Sequence, residues 1–112
     1  MKYYSEETSK LLRLGFEEKV LRWPQVSTKR MFGCPSYQAN GKLFAFLVTN
    51  GVVITQLSQA DRDKISRQRH AIFQGGKRIV QDWLRLPIEN GIDLGRVMPF
   101  VRKSYDSALR KA

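Results

Sequence analysis

Arg30-Met-Phe-Gly-Cys-Pro-Ser-Tyr-Gln-Ala-Asn-Gly-Lys-Leu-Phe-Ala-Phe-Leu-Val-Thr-Asn-Gly-Val-Val-Ile-Thr-Gln-Leu57 decides the fold class. Asn40-Gly41 is a strong hairpin signal, because a type I′ turn needs φ > 0 at both central residues and Asn and Gly reach that region at least cost. It joins a strand over Ser36–Ala39 to one over Lys42–Thr49. Asn50-Gly51 then turns the chain into Val52–Leu57, so three strands with two tight turns predict an antiparallel meander. The middle strand is nearly all apolar, which suits a strand buried on both faces or one whose outer face meets a partner.

Helical spacing flanks this block. Tyr4, Thr8, Leu11, Leu12, Phe16, Val20 and Trp23 recur three and four apart, predicting a first helix with Ser5 as its cap and Pro24 as its stop. Ser58, with Asp61 three residues on, predicts a charged surface helix over Gln59–His70, with Ala71 and Ile72 continuing its thin apolar stripe. Gln74-Gly75-Gly76-Lys77 breaks it. Arg78–Pro87 reads as an edge or half-buried fourth strand, and Asp93 as the cap of a last helix with Leu94, Val97, Met98, Val101, Tyr105 and Ala108 on one face. Pro99 should kink that helix or mark its first turn. The order α-β-β-β-α-β-α predicts a single α+β domain over residues 1–112, with helices packed on an antiparallel sheet.

Composition narrows the function classes. Twenty Lys+Arg oppose ten Asp+Glu, giving a formal net charge of +10 and attraction to polyanions such as nucleic acid or acidic protein. The excess spreads over the chain: 8 basic and 4 acidic side chains in residues 1–56, 12 and 6 in residues 57–112, so +4 and +6. Cations interleaved with apolar positions decorate folded elements, unlike the charge block of a disordered arm. One Cys excludes an intrachain disulfide and fits a reducing compartment. No apolar run approaches the roughly 18 residues of a membrane span. A soluble cytoplasmic protein is expected, with no membrane partner.

No catalytic set is legible. One Cys and one His fall short of a Cys/His zinc cluster, so no metal or other cofactor is expected. Cys34 as a nucleophile would need His70 beside it in the fold; a small buried Cys among strand residues is the plainer reading. Gly75-Gly76-Lys77-Arg78 follows a helix and precedes a strand, the reverse of a phosphate-binding Walker loop. No small-molecule substrate is indicated, and the chain reads as a non-enzyme. The candidate anion-binding residues are Arg62, Lys64, Arg67 and Arg69 with His70 on the second helix, Lys77 and Arg78 in the following turn, and Arg85 on the next strand. Converging, they would neutralise phosphates or carboxylates. The competing reading is a solvated helix face balanced by Asp61 and Asp63.

Arg30-Met31-Phe32-Gly33, then Asn40-Gly41-Lys42-Leu43-Phe44-Ala45, resembles the opening motif of the TfoX/Sxy N-terminal domain family. Phe73-Gln74-Gly75-Gly76-Lys77, Leu86-Pro87, Pro99-Phe100-Val101 and Ser104-Tyr105 extend the likeness over Trp23 to Ala108. The resemblance implies an α+β fold like that of secretion-chaperone-like domains and a bacterial cytoplasmic setting. Full-length relatives regulate competence genes and carry a second, C-terminal helical domain; this chain ends where that domain would begin. Looser YjbR-type relatives are regarded as DNA-binding. The family offers no catalytic residues to transfer, so its motif is read as folding information: Phe32, Phe44 and Phe46 as aromatic bulk for the sheet core, Gly33 as a bend and Gly41 as the hairpin turn. The expected function is a regulatory or adaptor module binding nucleic acid or an acidic protein. The alternative is a chaperone-like homodimer that uses an apolar sheet surface.

Overall fold

The computed structural model describes residues 3–65, 71–75 and 78–112, of which 71–75 and 78–82 are described by backbone alone. Its elements are α1 (Glu6–Val20), β1 (Val26–Met31), β2 (Cys34–Ala39), β3 (Lys42–Val48), β4 (Gly51–Ile54), α2 (Gln59–Ile65), β5 (Ala71–Gly75), β6 (Arg78–Pro87) and α3 (Gly91–Lys111). The class is α+β as expected, with two strands more than the sequence suggests. All six strands form one antiparallel sheet in the order β1-β2-β3-β4-β6-β5.

The additional β1 comes from Phe32-Gly33. Phe32 at φ 56° and Gly33 at φ 77° form a two-residue turn with left-handed backbone at both positions, which closes Met31 against Cys34. That turn folds the polar stretch Val26–Met31 back along β2. Asn40 (φ 51°) and Gly41 (φ 85°) make the expected second hairpin. Pro35 sits where β2 has no paired β3 residue, since that ladder begins at Ser36, so its missing N–H breaks no rung. The other additional strand, β5, takes Ala71 and Ile72, which the sequence places on a helix, and its pairing with β6 makes β6 an interior strand.

Cross-strand partners share a face. One row runs Tyr37–Ala45–Ile54–Leu84, and the opposite row Ser36–Phe46–Val53–Arg85. The helices cover the first face: Phe16 of α1 packs its ring 4.9 Å from that of Tyr37, and Ile65 of α2 and Val97 of α3 share a cavity with Leu86. On the second, Trp83 meets Phe46 edge-on at 5.4 Å. Phe44 to Val48 are therefore buried whichever way they point, as the apolar middle strand suggests.

Helix α3 buries the expected face, with Leu94, Val97, Val101, Tyr105 and Ala108 buried and Met98 half-buried, and α1 departs from its expected face only near its start. Ser5 caps α1, its Oγ accepting from Thr8 N. Ser9 then has non-helical backbone (φ −114°, ψ 15°), and its hydroxyl accepts from Asn50 N. Around this kink Ser9 is buried and the expected Thr8 and Leu11 are exposed, Leu11 by 84%, while Tyr4, Phe16 and Val20 are buried and Leu12 and Trp23 half-buried as expected. Helix α2 opens with Asp61 N donating to Ser58 Oγ, and its described part ends at Ile65. Asn90, not Asp93, caps α3, its Oδ1 accepting from Ile92 N and Asp93 N; α3 runs on through Pro99. Ser104 fastens α3 to the sheet by donating to Phe44 O at 2.6 Å and accepting from Gln56 N at 3.0 Å.

Candidate functional site

A polar cleft of about 400 Å³ lies where α1 crosses β1 and β2, lined by Glu6, Arg13, Glu17, Thr28, Lys29, Arg30 and Pro35. Helical geometry places Arg13 one turn from Glu17 and two from Glu6, so one guanidinium spans both acids. Its Nη2 meets Glu6 Oε2 at 2.8 Å, its Nε meets Glu6 Oε1 at 2.9 Å, and its Nη1 meets Glu17 Oε1 at 2.9 Å. Tyr4 donates to Glu6 Oε1 at 2.6 Å, and Tyr37, from β2, to Glu17 Oε2 at 2.7 Å. The result is a continuous chain Tyr4–Glu6–Arg13–Glu17–Tyr37.

Its electrostatics are those of a locked network. The Arg13 bonds, followed by that of Tyr4, hold the Glu6 carboxyl down at about 2. Burial first, then the hydrogen bond to Glu6, pushes Tyr4 up to about 12. Burial, then Glu17, lifts Tyr37 above the usual phenol range. The hydrogen bond to Glu6 is the main cause raising Arg13. Both phenols therefore stay protonated as donors, and both acids are engaged by Arg13. The chain works as a strut between α1 and β2. Arg30, which also donates to Gly33 O at 3.1 Å, brings positive charge to the outer wall.

A second cavity, of about 560 Å³, has Ile65, Leu86, Val97 and Phe100 as apolar lining and Glu89, Asp93 and Arg96 as charged lining. Asp93 is engaged there, its Oδ2 accepting from Glu89 N at 2.9 Å. Cys34 is fully buried; burial pushes its thiol up to about 11, so the nucleophilic thiolate is disfavoured at neutral pH. His70, its one conceivable imidazole base, lies outside the described residues. Among the described residues no cluster of three His, Cys, Asp or Glu is placed to hold a metal.

The cations singled out in the sequence do not gather where they are described. Arg62 turns back onto its own helix start, Nη1 to Leu57 O at 3.0 Å and Nη2 to Gln59 Oε1 at 2.7 Å. Lys64 is exposed on α2. Arg85 lies against the second sheet face and donates to Thr49 O at 3.3 Å. Arg78 begins β6 and pairs with Gly75 while Arg85 pairs with Ala71, four residues away on β5, so their backbones lie about 13 Å apart along the strand direction. Arg67, Arg69, His70 and Lys77 lie outside the described residues.

The motif residues divide between core and surface. Phe44 and Phe46 are buried, and Lys42 is exposed. Phe32 is 63% exposed, correcting its expected core role: a residue at the tip of a tight turn points away from the sheet, and its ring meets that of Tyr3 edge-on at 6.3 Å. Sequence reasoning missed Lys19, Arg22 and Lys29 as cations and the strut as a unit. The Glu6, Arg13 and Glu17 spacing was available as a signal; Tyr37 was not, because it arrives through the β1–β2 hairpin. Trp23 packs on α3, its ring 5.0 Å from that of Tyr105, with the Arg102 guanidinium 5.0 and 5.1 Å from the two ring centres.

No family model, curated protein or solved structure matches the chain. No described helix is long and apolar enough to cross a membrane.

Proposed function

We propose that the protein is a non-enzymatic regulatory or adaptor module of the bacterial cytoplasm that binds an anionic macromolecule, nucleic acid or acidic protein, through surface cations. One observation carries this reading. Lys10, Lys19, Arg22, Lys29, Lys64, Arg96 and Arg110 are exposed with no ion pair to a described carboxylate, while Glu6, Glu17, Asp61 and Asp106 are already paired. These seven described cations are available at the surface, and they contribute to the formal net charge of +10. The TfoX/Sxy-like motif agrees with a regulatory role, and its Met31, Phe32, Gly33, Asn40 and Gly41 serve here to fold two hairpins.

Fluorescence anisotropy with a labelled DNA duplex and with labelled polyglutamate, each across a salt series, tests the proposal. Binding should fall steeply as salt rises, with log K for duplex DNA losing about 0.9 per decade of salt for each phosphate neutralised. Absence of binding to either polymer at low salt, or binding that salt leaves unchanged, defeats it.

A dimeric, apolar-contact reading has one observation in its favour. Leu11, Leu14 and Leu21 are 84%, 47% and 44% exposed at spacings that share one side of α1. Among the described residues, Phe44–Val48 of β3 and Gly51–Ile54 of β4 are buried, so these strands add no exposed apolar surface to that of α1.

A further inference from the structure

The sheet has an open edge at β1. The two-residue turn makes Met31 and Cys34 a hydrogen-bonded pair, and alternation then gives Lys29 and Ser27 to the β2 ladder. Gln25 O accepting from Asn40 N at 2.9 Å extends the same phase by one more rung. The backbone N–H and C=O groups of Val26, Thr28 and Arg30 must therefore point outward, away from β2. Among the described residues no backbone group takes them up. Ser27, Thr28, Lys29 and Arg30 are all exposed, so the edge is accessible along its length.

An open edge is a template for another strand, and its side chains decide which one. Lys29 and Arg30 sit at its centre on opposite faces of the sheet. A second copy of β1 laid antiparallel about Lys29 or Arg30 would set like charges directly across the ladder, which is destabilising. A strand with two consecutive acidic residues would place one carboxylate on each face, beside Arg30 on one and Lys29 on the other. We infer that β1 docks an extended acidic segment of a partner polypeptide by strand addition, with an acidic pair opposite Lys29 and Arg30. This rests on the adaptor reading above and narrows it to a protein partner. The anion selects the segment, and the outward groups of Val26, Thr28 and Arg30 fix its conformation.

The probe is the hexapeptide Val-Thr-Glu-Glu-Thr-Val, acetylated and amidated, titrated into the full chain and followed by amide NMR and hydrogen exchange. Binding should protect the Thr28 and Arg30 amides and leave those of Ser27, Lys29 and Met31, already bonded to β2, unchanged. Thr28→Pro removes one outward donor and should weaken binding about fivefold, the worth of one backbone hydrogen bond. Should that variant misfold, the surface pair Lys29→Glu/Arg30→Glu is the second arm, and it should reverse the preference from the Glu-Glu peptide to its Lys-Lys counterpart.

Peptide binding without protection at Thr28 and Arg30, or with unchanged preference after charge reversal, overturns strand addition and leaves the adaptor reading standing. DNA binding with no response to the peptide does the same. Protection of Thr28 and Arg30 in the free protein that grows with its own concentration identifies β1 self-pairing and also overturns the inference. Failure of both peptide and polyanions to bind removes the adaptor reading with it.

Discussion

Replacing Ser104 by Ala isolates the joint between α3 and the sheet. The Ser104 hydroxyl is fully buried and makes two bonds, to Phe44 O at 2.6 Å and from Gln56 N at 3.0 Å. Their losses differ in weight. Phe44 O keeps a second donor, Thr55 N at 3.2 Å, whereas the Gln56 N–H loses the acceptor found for it. An orphaned backbone donor beside a packed helix costs about 2 kcal/mol, which in a chain of this size lowers the thermal midpoint by about 8 °C. The urea midpoint should drop by about 1 M with an unchanged slope. Ser107→Ala, on the same helix at a site with no such bond, should stay within about 0.5 kcal/mol. Urea denaturation of both variants with hydrogen exchange at Gln56 gives the reading. Equal stability of the two variants together with unaltered Gln56 exchange would refute the reasoning.

Two further outcomes follow from local geometry. Phe32→Asn should stabilise the fold by about 0.5 kcal/mol in thermal or urea unfolding, because Asn favours the φ 56° that Phe32 adopts at little packing cost; Gly33→Ala, at φ 77°, should destabilise it by about 1 kcal/mol. Glu6 gives a pH dependence of definite sign: with its carboxyl held below the ordinary 4.5 at about 2, its contribution is complete above 4.5 and disappears as pH falls through 2. The melting temperature should therefore decline over that window more steeply in the native chain than in Glu6→Gln, and identical acid limbs would refute the pairing.

The legible elements were those whose local chemistry and burial agree. Asn40-Gly41, the apolar β3, the Ser5 and Ser58 caps and the extent of β6 all fall in this group. The edge strand β1 was not legible, because Val-Ser-Thr-Lys-Arg-Met faces solvent along most of its length and carries no alternating apolar pattern. Phe32 disguised the turn that creates it, since a bulky aromatic at φ > 0 is the opposite of the usual hairpin signal. In α1 only the stretch around Ser9 was illegible: there a tertiary bond from Asn50 accompanies non-helical backbone, and Thr8 and Leu11 beside it are exposed. Of the basic constellation, the sequence supplied the charges but not their directions: Arg62 and Arg85 spend donors on backbone carbonyls. The polar strut needed both a helix and a hairpin to be placed first.

The two tryptophans occupy unlike surroundings, and this equips the molecule with two optical channels. Trp23 stands among Phe44, Tyr105 and the Arg102 guanidinium, where α1 leaves for the sheet. Trp83 stands against Phe46 across the strands joining the meander to the last hairpin. Converting either one to Phe leaves a single emitter at a known address. Unequal unfolding curves from the two emitters would show the helix junction and the strand seam melting as separate cooperative units, and superimposable curves would show them melting as one.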